Sequence, residues 1–260
     1  MIRKIKGIAI ILLILLLSQF ILPAFSFAID AHVLNGRVVV SGLNPKDTQK
    51  LTLERKENGD EKPYNINNET EILPLSSKGE YTIEILKHEQ LDRYRVIEKI
   101  SIKASDVDDA FLHSSQPVYF KETDKAVHLV KYLTSGKTTD IDKLRACYDY
   151  IVKNIKYDKD KINRIDGNYV PNSDLTVENK SGICYDYAAL LAVMLRSQGI
   201  KTKLVKGYKN GIDEYHAWNE VFINGKWFTI DTTFDAAYVQ AGINIAMIKN
   251  SSEYTKTSEE

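Results

Sequence analysis

The sequence predicts an α+β protein in two parts, an all-β sandwich-like domain over 29–113 and a mixed helix and sheet domain over 114–248. Three observations predict it. β-formers cluster or alternate in short runs through the first part, the apolar spacing turns helical near Thr123, and strand alternation returns around Asn224-Gly225. A leader, 1–28, precedes both parts, and a polar C-terminal tail, 249–260, follows them.

The leader carries Arg3, Lys4 and Lys6 ahead of an uninterrupted apolar run from Ile8 to Leu17. That order reads as a secretory signal, and Ser26-Phe27-Ala28 puts small residues where cleavage after Ala28 needs them. The rival is an uncleaved N-terminal anchor, since the apolar stretch lies near the lower edge for a membrane span. Without the leader the chain holds 32 basic and 35 acidic residues and is mildly acidic. The expected location is outside the cell or on the outer face of its envelope, with membrane contact only through this segment if it is retained.

From Ile29 to His113, strands are expected at Val33–Val40, Leu51–Arg55, Tyr81–Leu86 and Tyr94–Ile102, with turns at Gly42, Asn44-Pro45, Asn58-Gly59 and Ser76–Gly79. Tyr81, Ile83 and Ile85 share one face, as an antiparallel sandwich requires. This part holds no cluster of His, Cys or paired carboxylates, and reads as a spacer or binding module.

Beyond Thr123, helices are expected over Asp124–Leu133 and Asp140–Ile155. In the second, Ile141, Leu144, Tyr148, Ile151, Val152 and Ile155 form a buried stripe, with Cys147 beside it as a small core residue. Tyr157–Lys180 is polar and turn-rich and reads as a long loop, of the kind that borders functional sites. Ser181-Gly182-Ile183 then leads into a helix so apolar that it must be buried nearly all round. Cys184 falls at its N-terminus, where free N–H groups and the helix dipole favour an anion and the thiolate is the reactive form of cysteine.

Tyr215–Ile223 alternates as a strand, Asn224-Gly225 is a two-residue hairpin turn, and Lys226–Asp231 returns. In that register Trp218 stands opposite Asp231, and His216 has the same facing as Trp218. His216 and Asp231 are therefore diagonal cross-strand neighbours, within reach of a hydrogen bond. Trp218 serves equally as core or as a wall of a site, and Trp227 reads as core. A thiol at a helix start, a histidine and an acid that orients it suffice for covalent acyl transfer.

The blocks Gly182-Ile183-Cys184-Tyr185-Asp186-Tyr187-Ala188, Gly207-Tyr208, His216-Ala217-Trp218-Asn219-Glu220-Val221 and Ile230-Asp231-Thr232-Thr233 resemble, in order and spacing, the transglutaminase-like superfamily, over roughly residues 120–240. The resemblance implies a papain-like α+β core with the nucleophile helix packed on an antiparallel sheet. It implies Cys184 as nucleophile, His216 as general base and acid, and Asp231 as orienter. Thr232 replaces a proline common in the family, which should leave the carboxylate in place. The Cys184 N–H is one oxyanion donor by its position. Tyr148, Tyr157 and Trp218 are candidates for the second donor or a site wall, although Tyr148 fits the buried stripe as well.

Composition narrows the alternatives. With 35 basic and 35 acidic residues the chain offers no nucleic-acid footprint, and two cysteines support neither a disulfide scaffold nor a cysteine-based zinc site. Asp158, Asp160 and Asp166 lack the spacing of a calcium loop. His32, His88, His113 and His128 are scattered and read as surface residues. The expected function is an exported cysteine acyl-transfer enzyme acting on protein or peptide amides without cofactor or metal, by hydrolysis rather than crosslinking. The alternative is a non-catalytic extracellular or cell-surface binding protein that keeps the fold.

Overall fold

The structure, a computed structural model, describes residues 28–47, 49–90 and 93–260. The leader reading falls on residues outside this set, apart from Ala28. Among the described residues no helix is long and apolar enough to cross a membrane.

Strands β1 (Asp30–Leu34), β2 (Arg37–Ser41), β3 (Gln49–Arg55), β4 (Asp60–Asn65), β5 (Thr70–Pro74), β6 (Gly79–Gln90) and β7 (Arg93–Ala104) form two antiparallel sheets, ordered β1-β2-β5 and β4-β3-β6-β7. Val38, Val40 and Leu73 from one sheet and Leu51, Leu53, Ile83 and Ile85 from the other fill a shared core, so the sandwich follows from period-two burial. Val33–Val40 is not the single strand expected of it. Asn35 (φ 49°) and Gly36 (φ 72°) both adopt the left-handed region and fold the run into the β1–β2 hairpin.

The second part holds α1 (Lys125–Leu133), α2 (Asp140–Asn154), β8 (Lys156–Tyr157), α3 (Ser173–Asn179), β9 (Ser181–Gly182), α4 (Cys184–Arg196), β10 (Thr202–Lys209), β11 (Ile212–Ile223), β12 (Lys226–Ile230), α5 (Thr232–Gln240), β13 (Ile248–Lys249) and β14 (Tyr254–Glu259). Helix α4 is buried from Asp186 to Arg196 and packs against β10 and β11 of the antiparallel sheet β13-β12-β11-β10-β14. Helices α1, α2, α3 and α5 also pack against it, and the shared core includes Leu144, Cys147, Ile151, Leu190 and Val221. This is the α+β arrangement expected.

The span expected as an uninterrupted loop, Tyr157–Lys180, contains a 3₁₀ turn over Lys159–Asn163 and the helix α3. The Asn172 side chain caps α3 by accepting from the Leu175 N–H, and Lys180 (φ 49°) ends it in the left-handed region. The expected polar tail is likewise structured. Tyr254–Glu259 is the edge strand β14, paired with β10 from Val205 to Lys209 through a bulge. Its sequence, Tyr-Thr-Lys-Thr-Ser-Glu, is polar after the first residue, so no apolar period announces it.

Candidate active site

Cys184 is the first residue of α4, where its N–H has no partner within the helix. The turn ahead of it is fixed by Asp186, whose carboxylate reaches back to accept from the Ile183 N–H at 2.8 Å, as the acidic member of a capping box does. Asp186 is fully buried and also accepts from Lys161 Nζ at 2.7 Å and from the Tyr169 hydroxyl, so it ties the 157–171 segment to the start of α4. A β-carbon on Gly182 would meet the Asp186 side chain at 2.6 Å, and only glycine fits there. Parallel pairing of Tyr157 with Gly182 brings the Tyr157 backbone alongside the same turn.

His216 lies on β11. The register from Ile223↔Lys226 to Asn219↔Ile230 is the one that Asn224-Gly225 specifies. Pairing ends there, and Asp231 becomes the N-cap of α5, its Oδ1 accepting from the Phe234 N–H at 3.0 Å. That cap holds the carboxylate without a proline at the next position. Its Oδ2 is 2.8 Å from His216 Nε2, both side chains being buried. With Nε2 committed to Asp231, Nδ1 is the ring nitrogen left for Cys184, which lines the same cleft as His216. Burial alone would lower the His216 pKa. Hydrogen bonds and charge from Asp231 and Cys184 outweigh it and raise the value from 6.5 to about 9.

Sequence reasoning missed Tyr254. From the edge strand β14 its hydroxyl donates to Asp231 Oδ2 at 3.1 Å, and its ring packs on Trp218 with centroids 5.0 Å apart. Trp218 in turn stacks on His216 at 6.3 Å and 25°, so it is both core and the backing of the imidazole. Asn219 joins the two halves: its Nδ2 donates to Ala188 O on α4 at 2.9 Å and to Lys203 O on β10 at 3.1 Å.

Two expectations need correction. Tyr148 is no site wall. Its hydroxyl donates to the buried Asp235 at 2.8 Å inside the core, as its place in the α2 stripe dictates. Trp227 is not core but 40% exposed, packed on Phe222 and Phe111 with Lys203 Nζ 4.6 Å over its ring. Tyr157 is 43% exposed, and burial, then the charge of Cys184, pushes its phenol up to about 12. Asp158 and Asp166 serve local structure. Asp158 caps the Lys161 N–H at 3.0 Å and bonds Arg164 at 3.0 Å, and Asp166 accepts from the Asn168 N–H at 2.8 Å.

A segment from α1 to the start of α5, residues 127–232, matches the family model of the Transglutaminase-like superfamily and contains Cys184, His216 and Asp231. This segment is a transglutaminase-like domain. Human kyphoscoliosis peptidase is 30% identical to the chain over 121 residues, 43% of this chain and 18% of the peptidase. YebA of Bacillus subtilis is 26% identical over 199 residues, 64% of this chain and 26% of YebA. The chain thus spans about a quarter or less of the length of these relatives. Among solved structures, a proposed cysteine protease from Cytophaga hutchinsonii is 15% identical, with a TM-score of 0.46, over 82% of this chain and 76% of that one.

Proposed function

We propose that this transglutaminase-like protein is an exported cysteine acyl-transfer enzyme that acts on protein or peptide amides, by hydrolysis rather than crosslinking. The observation that carries the reading is the buried bond from His216 to Asp231, made by an imidazole that shares one cleft with Cys184. The Cys184 sulfur attacks the amide carbonyl carbon, and the oxyanion that forms faces the Cys184 N–H. The His216 imidazolium gives its proton to the departing amine as the C–N bond breaks, leaving a thioester. Water then attacks the thioester, His216 takes its proton, and cleavage of the C–S bond releases the acid and restores the thiolate. Asp231 holds the ring with Nδ1 toward sulfur. Tyr157 supplies the second oxyanion donor in this reading, because its backbone pairs alongside the Cys184 turn and its phenol is protonated at neutral pH. The basic and apolar leader supports export.

Iodoacetamide at neutral pH tests the reading. Cys147 is buried and its thiol is pushed up to about 12 by desolvation, so it should stay unmodified until the protein is unfolded. Native protein should gain one adduct, at Cys184, and His216→Ala should slow its formation. Cys184→Ala should keep the fold and lose hydrolysis of casein. Amide turnover by Cys184→Ala would sink the mechanism.

A further inference from the structure

The first turn of α4 carries the Cys184 sulfur and, two residues on, the Asp186 carboxylate, so a thiolate there shares its turn with a second anion. We propose that Lys161 is a positioning residue for the nucleophile: its ammonium cancels the charge of Asp186, and the buried carboxylate then fixes the turn without opposing ionisation of Cys184. The inference deepens the acyl-transfer reading and rests on it, since the ionised sulfur is the group that attacks.

The conflict arises from the helix start itself. Its free N–H groups and dipole favour an anion, and Asp186 uses them by accepting from the Ile183 N–H at 2.8 Å. The Asp186 side chain has no exposed surface, so water does little to screen its charge. Like charges within one turn disfavour each other's ionised form. An uncharged asparagine would cap the same N–H. What the carboxylate adds is an acceptor for the Tyr169 hydroxyl and an ion pair with Lys161.

Lys161 is placed to offset that charge. Its Nζ lies 2.7 Å from Asp186 Oδ2. The 3₁₀ turn that carries it is pinned beside the nucleophile, because the Asp158 N–H just ahead of the turn donates to Gly182 O at 2.9 Å. The Asp158 carboxylate is engaged elsewhere, through the Lys161 N–H at 3.0 Å and Arg164 at 3.0 Å, which leaves the Lys161 ammonium to Asp186. Other titratable groups gather here from the packed elements: Tyr169, Tyr157 on β8, Tyr185 on α4, and Glu214 and His216 on β11. Burial pushes the three phenols up, so they are uncharged at neutral pH. Lys206 on β10 lies over the Tyr185 ring and pairs with Glu260 at 3.2 Å. Among the described residues, Lys161 is the cation that pairs with Asp186.

The test follows alkylation of Cys184 in the full chain by intact mass from pH 5 to pH 10. The reagent is iodoacetamide, which is uncharged and so is not steered by Lys161. Lys161→Met should displace the rising limb of the rate–pH curve to higher pH by about one pH unit, about tenfold slower on that limb, as one nearby charge implies. Lys161→Arg keeps the charge and should keep the wild-type curve. Asp186→Asn keeps an oxygen for the Ile183 N–H and should displace the curve to lower pH. The double variant Lys161→Met/Asp186→Asn should return toward wild type. Both single variants break the same ion pair, so a merely structural tie would change reactivity in the same direction in each. An unmoved curve in Lys161→Met, equal displacement by Lys161→Met and Lys161→Arg, or displacement of the two single variants in one direction would overturn the proposal. If Asp186→Asn does not fold, the contrast between Lys161→Met and Lys161→Arg decides. Failure of iodoacetamide to mark Cys184 in the wild type would instead overturn the acyl-transfer reading beneath it.

Discussion

Asp231→Asn isolates the charge that sets the state of His216. The substitution keeps an oxygen to cap the Phe234 N–H, because asparagine is as good an N-cap as aspartate, so α5 should stay anchored. What it removes is the carboxylate bonded to Nε2 at 2.8 Å. The rise of His216 from 6.5 to about 9 corresponds to about 3 kcal/mol of preference for the imidazolium, reached against burial and shared between Asp231 and Cys184. Without Asp231, burial is opposed by Cys184 alone, and the imidazole should titrate well below its wild-type value. Because the wild-type value is raised, the stability it contributes is fully present below pH 6.5 and is lost as pH rises through about 9. Asp231→Asn should lose that contribution in the same window. The asparagine amide also presents a donor to Nε2 and selects the wrong tautomer, a change that costs about 10⁴ in kcat in Ser-His-Asp enzymes. The assay is proton NMR of the imidazole, assigned by its absence in His216→Ala, with casein hydrolysis followed across pH. The wild type should show an inflection near 9 and lose kcat/KM above it. Superimposable titration curves for wild type and Asp231→Asn, or more than half the activity left in the variant, would refute the reasoning.

Tyr254→Phe removes the second donor on Asp231 Oδ2 and keeps the ring on Trp218. We expect kcat to fall by about three- to tenfold at unchanged thermal midpoint, the share of one hydrogen bond. The His216 inflection should move upward, because Oδ2 is no longer shared; an unmoved inflection would make Tyr254 merely structural. Asn219→Ala strips the amide that joins α4 to β10, leaves two carbonyls short of a donor, and should cost about 1–3 kcal/mol in urea unfolding. A change within about 0.5 kcal/mol would place that junction elsewhere.

What the sequence made legible was what its local rules determine. Asn224-Gly225 specified a turn, the turn specified a register, and the register put His216 within reach of Asp231. The apolar run after Cys184 specified a buried helix and placed the thiol at its start. The same local rule failed at Asn35-Gly36, because β-formers on both sides of the dipeptide read as one strand although the turn chemistry was identical. Helix α3 was hidden in a polar stretch whose only signal was Asn172 as a cap before Ser173-Asp174. Tyr148 was misplaced for the opposite reason. Its helical spacing already assigned it to the α2 stripe, and the reach of its hydroxyl to Asp235 depends on a helix 87 residues away.

The residues that could not be read are those that set distances between elements. Cys184, His216 and Asp231 each sit on a device that one segment builds by itself: a helix start, a strand, a helix cap. Nothing within those segments brings the helix start to the strand. That task falls to Asn219, which bonds both α4 and β10, to Asp186, which pins the 157–171 segment to the start of α4, and to Tyr254, which reaches Asp231 from a strand with no apolar face. An amide, a buried carboxylate and a phenol on a polar edge carry no periodicity, so their roles exist only once the elements have packed.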